Sequence, residues 1–252
     1  MNGRPESGRP PDLSAKRWKR WSLLAACLLL AAIFLALGVW QVERRTWKLA
    51  LIEAVEARVH APAVPAPPPA SWQSIDAARD AYRHVAARGR LLNDRETLVQ
   101  ALTEHGAGYW VVTPLVDERG FVALVNRGFV PPERAEARTR AEGLPQGPTT
   151  IVGLLRPSEP GGRFLRLNRP SEERWFSRDV AAIAAARRLK HVAPYFIDAD
   201  DQPVAGGWPM GGLTVLSFPN NHLIYALTWF GLAALSVAGV VLVLRSEGED
   251  RR

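Results

Sequence analysis

The chain has 252 residues, 47% of them apolar, and 32 Lys and Arg against 25 Asp and Glu give a net charge of +7. One cysteine and two methionines exclude a disulfide framework and a paired-cysteine zinc site, and argue against a sulfur-ligated copper carrier. The charge is uneven: Arg4, Arg9, Lys16, Arg17, Lys19 and Arg20 crowd the start, whereas residues 43–222 hold 23 basic against 20 acidic residues. That near balance gives no reason to expect a nucleic-acid partner.

In chain order, residues 1–20 form a basic tail, followed by 22 charge-free residues from Trp21 to Val42. About 20 apolar residues suffice to cross the hydrocarbon core of a bilayer as a helix. Two other readings compete with an uncleaved anchor. Ala36-Leu37-Gly38 offers small residues to a signal peptidase, although Trp40 and Val42 carry the run past that site. Leu24-Ala25-Ala26-Cys27 resembles a lipobox, but its apolar stretch is short and the following residues are more hydrophobic. Trp21 and Trp40 suit the aromatic belts of a span.

Gln41–Val59 continues as helix, with Trp47, Leu51, Val55 and Arg58 at near-helical spacing. The Pro/Ala run at 61–70 is expected to be an extended spacer. Strand patterns follow at Arg83–Leu91, Thr97–Thr103, Tyr109–Val116, Phe121–Val130, Thr149–Leu155, Ala193–Asp198 and Leu213–Ser217. Asp117-Glu118-Arg119-Gly120 has the composition of a hairpin turn. Asp179–Leu189 is the one clear helix, with Ser177 or Asp179 as its cap. A second charge-free run, Leu223–Leu244, precedes a short tail at 245–252.

The fold class expected is a membrane protein: two transmembrane α-helices flanking a mostly antiparallel β (α+β) extracytoplasmic domain at 43–222, for which a partly closed barrel is one form compatible with the strand count. Basic flanks stay in the cytoplasm, which places both termini there and the domain outside. Barely 20 residues precede the first span, so a bacterial inner membrane, with its lipid bilayer and a periplasmic domain, fits better than a mitochondrial presequence.

The chemistry-bearing motifs GxSxG, GxxxxGK[ST], GxGxxG, HExxH and CxxCH are absent from the sequence. Glu133, Glu136, Asp198, Asp200 and Asp201 are scattered without an acid/base pairing, and nothing asks to be read as an enzyme. The two membrane borders are more distinctive. At the first, Trp40, Arg44 and Trp47 share a helical face at spacings of four and three. At the second, Asn220 or Asn221 can cap a helix on which His222, Tyr225 and Trp229 form one stripe.

These borders resemble the surfeit locus 1 family. Gly38, Trp40, Gln41, Arg44 or Arg45, Trp47 and Lys48 are similar to its GxWQxxRxxWK, and Val125–Pro131 to its VNRGWVP, with Phe129 in place of Trp. Arg156–Glu159, Asn168 with Pro170, and Trp175–Asp179 follow its central pattern, except that Arg169 stands where the family has Asp. Asn220-Asn221-His222-Leu223, Tyr225-Ala226 and Thr228-Trp229-Phe230 resemble NNHLxYAxTWF, the most specific of these motifs. The similarity spans about residues 38–235.

The resemblance implies assembly of haem-copper cytochrome c oxidase, with haem a as cofactor, oxidase subunit I as partner and haem a synthase as a further one. It makes His222 the candidate ligand of the haem iron. Tyr225, Trp229 and Trp40 become candidate walls for the porphyrin, and Arg44, Arg45 or Lys48 partners for its propionates. The plainer reading makes His222 a helix-start residue among lipid headgroups, Trp40 and Trp47 membrane anchors, and the whole chain a haem-free scaffold for a subunit I intermediate. His60, His84, His105 and His191 rank below His222, and Arg127 is expected to pair internally. Small residues on the second span (Gly231, Ala233, Ala234, Ser236, Ala238 and Gly239) would permit close helix contact. Pairing of the spans is expected to bring His222 near Arg44 and Arg45.

Overall fold

The structure, a computed structural model, describes residues 13–162, 166–216 and 218–249. Arg4 and Arg9 of the basic tail, Ser217 and residues 250–252 lie outside the described residues. In order the elements are α1 (Leu13–Val59), β1 (Val64–Pro65), α2 (Ala77–Asp80), β2 (His84–Leu91), β3 (Thr97–Thr103), β4 (Gly106–Asp117), β5 (Val122–Val130), β6 (Pro148–Pro157), α3 (Val180–Ala186), β7 (Val192–Ala199) and α4 (His222–Glu249). The chain divides into two compact units, residues 1–52 with 218–252, and residues 53–217.

Two long apolar helices, one toward each end of the chain, therefore flank a sheet-rich unit. Between Leu13 and Val59 there is no proline, and Ala and Leu dominate, so nothing interrupts the helix before Pro62. At 1.5 Å per residue α1 runs about 70 Å and α4 about 42 Å, both long enough to cross a hydrocarbon core. Asn221 occupies the cap position of α4, its carbonyl accepting from Tyr225 N–H at 3.3 Å.

The strands of the second unit lie in the order β1-β2-β6-β7-β5-β4-β3, and a further β2–β4 pairing closes β2, β6, β7, β5 and β4 into a five-stranded ring. The β1–β2 and β5–β7 pairs are parallel and the others antiparallel. The Asp117–Phe121 turn forms as its composition predicts, with Asp117 N–H donating to Phe121 O at 2.8 Å. Side chains alternate between two cores along β4, β5 and β7. Ala123, Val125, Tyr195 and Ile197 point into the ring with Val85, Leu115 and Phe121. Leu124 and Phe196 point outward and are covered by Trp175 and by Val180 and Ile183 of α3. β5 is buried on both faces, and its apolar run is interrupted by Asn126 and Arg127, which are themselves buried and hydrogen-bonded.

Three expectations need correction. Leu213–Leu216 forms no strand, because the edge of β5 beyond its last pair with β7, Asn126 with Asp198, is met earlier in the chain. Met210 instead makes a single bridge to Phe129. The Pro/Ala run is extended only as far as Pro68, a 3-10 helix beginning at Pro69, and it is bound to the sheet through β1. Ala66 is buried, and Pro67 O accepts from Tyr195 Oη at 2.8 Å and from Trp72 Nε1 at 3.1 Å. Finally, α3 stops at Ala186, ahead of Leu189, and Arg188 turns to a positive φ of 53°. Asp179 caps it by accepting from Ala182 N–H at 3.1 Å, while the Ser177 hydroxyl donates to Glu159 O at 2.7 Å.

Candidate functional site

The helical unit is an antiparallel hairpin with a heptad seam. Along α1 the less exposed positions up to Lys48 are 20, 24, 27, 31, 34, 37, 38, 41, 45 and 48, all but 37 at alternating steps of four and three, and along α4 they include 222, 226, 229, 233, 236, 240 and 243. Alternating steps of four and three average 3.5 residues, the period that keeps one seam facing a partner helix. The cross-contacts pair these positions in reverse order. Arg20 Nη2 donates to Val243 O at 2.9 Å, Phe34 stacks on Trp229 at 5.7 Å, and Lys48 Nζ lies 5.5 Å from the Phe218 ring centre. Gly38 meets the Phe230 ring so closely that a Cβ there would collide with it. Of the small residues on α4, Ala233, Ser236 and Gly239 lie toward the seam, whereas Gly231, Ala234 and Ala238 are exposed.

Within this seam His222 Nδ1 lies 2.8 Å from Gln41 Oε1. Gln41 is only 9% exposed, a buried amide in a seam that also carries the half-buried Arg45 and Lys48. With Oε1 as acceptor the imidazole proton sits on Nδ1, and Nε2 keeps its lone pair. Arg45 and Lys48 follow Gln41 on the same stripe and are half-buried. Trp40 and Tyr225 are exposed (53% and 55%), and Arg44, also exposed, holds its guanidinium 4.2 Å over the Trp47 ring. At 3.6 residues per turn Arg44 and Tyr225 each sit about 60° off the seam, and in an antiparallel pair these displacements fall on the same side. Trp40 lies further round that side. Trp229 differs from the others, since its ring is used in packing against Phe34. The hairpin thus brings His222 alongside Gln41, about one helical turn from Arg44 and Arg45.

The β unit holds a second polar cluster. Asp198, 3% exposed, accepts at Oδ1 from Asn126 Nδ2 (2.8 Å) and Arg178 Nη1 (2.9 Å). Its Oδ2 accepts from Arg156 Nη1 (2.9 Å) and Thr214 Oγ1 (3.2 Å). Arg178 also binds Glu159 and lies 4.7 Å from the Phe196 ring centre. Asn126, Arg156, Arg178, Asp198 and Thr214 line a cavity of about 210 Å³. Burial alone would raise the Glu159 carboxyl, but hydrogen bonds and charge from Arg178 hold it below the usual range. That leaves it ionised and spoken for, a poor proton carrier near neutrality.

Arg127 is buried and pairs internally through Nη2 to Gly143 O. Burial, and then the neighbouring Arg140, lowers its guanidinium to about 10. His84 bridges Ala61 O and Asp200 Oδ2, each at 2.8 Å. Arg169 keeps its side chain at the surface beside Glu172, and its backbone pairs with Arg174. The residues that sequence reasoning missed are Gln41, quoted without a role, and Asp198, passed over as a scattered carboxylate. The available signal for Gln41 was a lone amide at the edge of an apolar run, seven residues after Phe34.

The SURF1 family model matches residues 28–234 of this chain. Surfeit locus protein 1 of Mus musculus is 36% identical over 224 residues, covering 82% of this chain and 71% of its own. That of Homo sapiens is 36% identical over 227 residues, covering 82% and 72%. A SURF1-like protein of Monosiga brevicollis is 34% identical over 243 residues, covering 90% and 88%.

Proposed function

The chain belongs to the SURF1 family, and from that premise we propose a membrane-anchored, non-enzymatic assembly factor for haem-copper cytochrome c oxidase that binds haem a and assists its insertion into subunit I. The observation that carries the haem reading is the 2.8 Å contact of His222 Nδ1 with Gln41 Oε1, which leaves Nε2 as a free donor atom. The surroundings fit the group. Trp40 and Tyr225 expose aromatic faces on one side of the seam, and Arg44, Arg45 and Lys48 supply cations matched to two propionates. Trp229 fits less well as a wall, because Phe34 already occupies its face.

If bound there, haem a would supply the iron chemistry, and His222 would hold it through Nε2. The work of the chain is to hold the macrocycle at the membrane border, orient it through its carboxylates and keep one edge accessible for transfer. Both helices span the inner membrane with the termini cytoplasmic, and the β domain lies in the periplasm as the surface for subunit I and for a haem a synthase. The saturated Asp198 cluster supports a structural domain, since each of its oxygens is already ion-paired.

The test is a visible spectrum of detergent-purified protein, co-expressed with haem a synthesis, for wild type and His222→Ala. A Soret band in the wild type that the variant loses supports carriage through His222. A wild type free of haem turns the reading to a scaffold that stabilises subunit I.

A further inference from the structure

We infer that Gln41 is the positioning residue of His222: its carbonyl oxygen fixes the imidazole as the Nδ1–H tautomer and aims Nε2 out of the helix seam as the donor atom. The inference rests on the haem reading for its purpose but on the hairpin alone for its geometry. Histidines that ligate metals regularly donate their other ring N–H to an acceptor, which fixes the tautomer and raises ligand basicity. Here the acceptor is an amide oxygen at 2.8 Å, 9% exposed, on the partner helix and 181 positions away in sequence.

The amide could face His222 in only two ways. With Nε2 of Gln41 toward the ring, the imidazole would have to accept at Nδ1 and carry its proton on Nε2, which blocks ligation. With Oε1 toward the ring, as the structure has it, ligation is open. A neutral amide is also the acceptor suited to this place, since a carboxylate in a helix seam would be costly to bury. Gly38, one turn away on the same helix, lets Phe230 approach and so holds α4 close enough for the contact.

A glutamine that only fastened two helices together would show none of this chemistry. Two measurements on the full chain in detergent separate the roles. The first uses haem-free protein with nitrogen-15-labelled histidine, assigning His222 by difference with His222→Ala. The inference expects one neutral tautomer, protonated at Nδ1, in the wild type, and a mixture of tautomers in Gln41→Leu. An Nε2–H tautomer in the wild type, or no change in the variant, overturns it whether or not haem binds.

The second uses protein loaded with haem a by co-expression. Gln41→Leu is expected to bind roughly 10–100-fold more weakly, the range for loss of an outer-shell partner. It should also lower the iron–imidazole stretching frequency and raise the reduction potential. Gln41→Glu, a stronger acceptor, should shift both in the opposite direction. Unchanged frequency and potential in both variants would reduce Gln41 to helix packing. A wild type without a Soret band would sink the haem reading, while the tautomer measurement would still decide whether Gln41 orients His222.

Discussion

Replacing Asp198 by Asn tests whether the β unit is held by its buried ionic cluster. The substitution keeps the shape but removes the charge that pairs directly with both Arg156 and Arg178, and turns an NH2 toward their donors. Breaking a buried pair from one side costs about 3–5 kcal/mol. Arg178 keeps Glu159, which places the expectation at the lower end, about 3 kcal/mol. For a domain of 150–250 residues that corresponds to a fall in melting temperature of about 6–12 °C. The control is Glu173→Gln, which removes the Arg187 partner at a site where Glu173 is 61% exposed. Such a surface pair is worth less than about 1 kcal/mol. Intrinsic tryptophan fluorescence during heating of the detergent-solubilised protein reads both, since Trp175 is 1% exposed. Equal, small shifts for the two variants would refute the claim that burial makes the Asp198 cluster matter.

Gly239→Cys should form a disulfide with Cys27 under mild oxidation, because a Cβ at 239 would stand 3.4 Å from Cys27 Sγ; Gly231→Cys, on the exposed face, should not, and gel mobility distinguishes them. Gly128 has a φ of +128° and a Cβ there would meet the Met210 carbonyl, so Gly128→Ala should cost at least about 1–3 kcal/mol by thermal unfolding. A melting temperature at the wild-type value would show that this strand end is free to shift. For His84, burial alone would lower the pKa, but the Ala61 carbonyl and Asp200 raise it above 6.5. The stabilisation from this pair is therefore complete below pH 6.5 and lost as pH rises through the folded value. The melting-temperature gap between wild type and His84→Ala should shrink from pH 6 to pH 9, and a gap independent of pH would contradict the assignment.

Local physics was enough for the elements. Runs of 22 residues without a charge fix two long helices, because length and apolarity alone decide them. Period-two patterns fix six strands to within a few residues, and Asp117–Gly120 fixes its turn by composition. Two errors arose where a neighbour overrode local preference. Leu213–Leu216 has strand-like composition, but the edge of β5 beyond its pairs with β7 is met earlier in the chain, by Met210. The Pro/Ala run looks like a spacer until Pro67 O is seen to hold Tyr195 and Trp72.

The seam of the helical hairpin was hidden for a different reason. When every face of a helix is apolar, hydrophobic pattern cannot single out the one that meets its partner. Only packing shows that Gly38, Gln41, Ala226 and Ala233 share it. The candidate ligand His222 was named from sequence through the family resemblance of the Asn220–Phe230 motif. Its partner Gln41 was not, because a contact across 181 positions exists only once two helices are in register. Asp198 is the same case in the β unit, where four donors converge from Asn126, Arg156, Arg178 and Thr214. Sequence determined which residues could do chemistry and which segments are helix or strand. Tertiary structure decided which of them meet, because hydrogen bonds and ion pairs depend on distance in space and not along the chain.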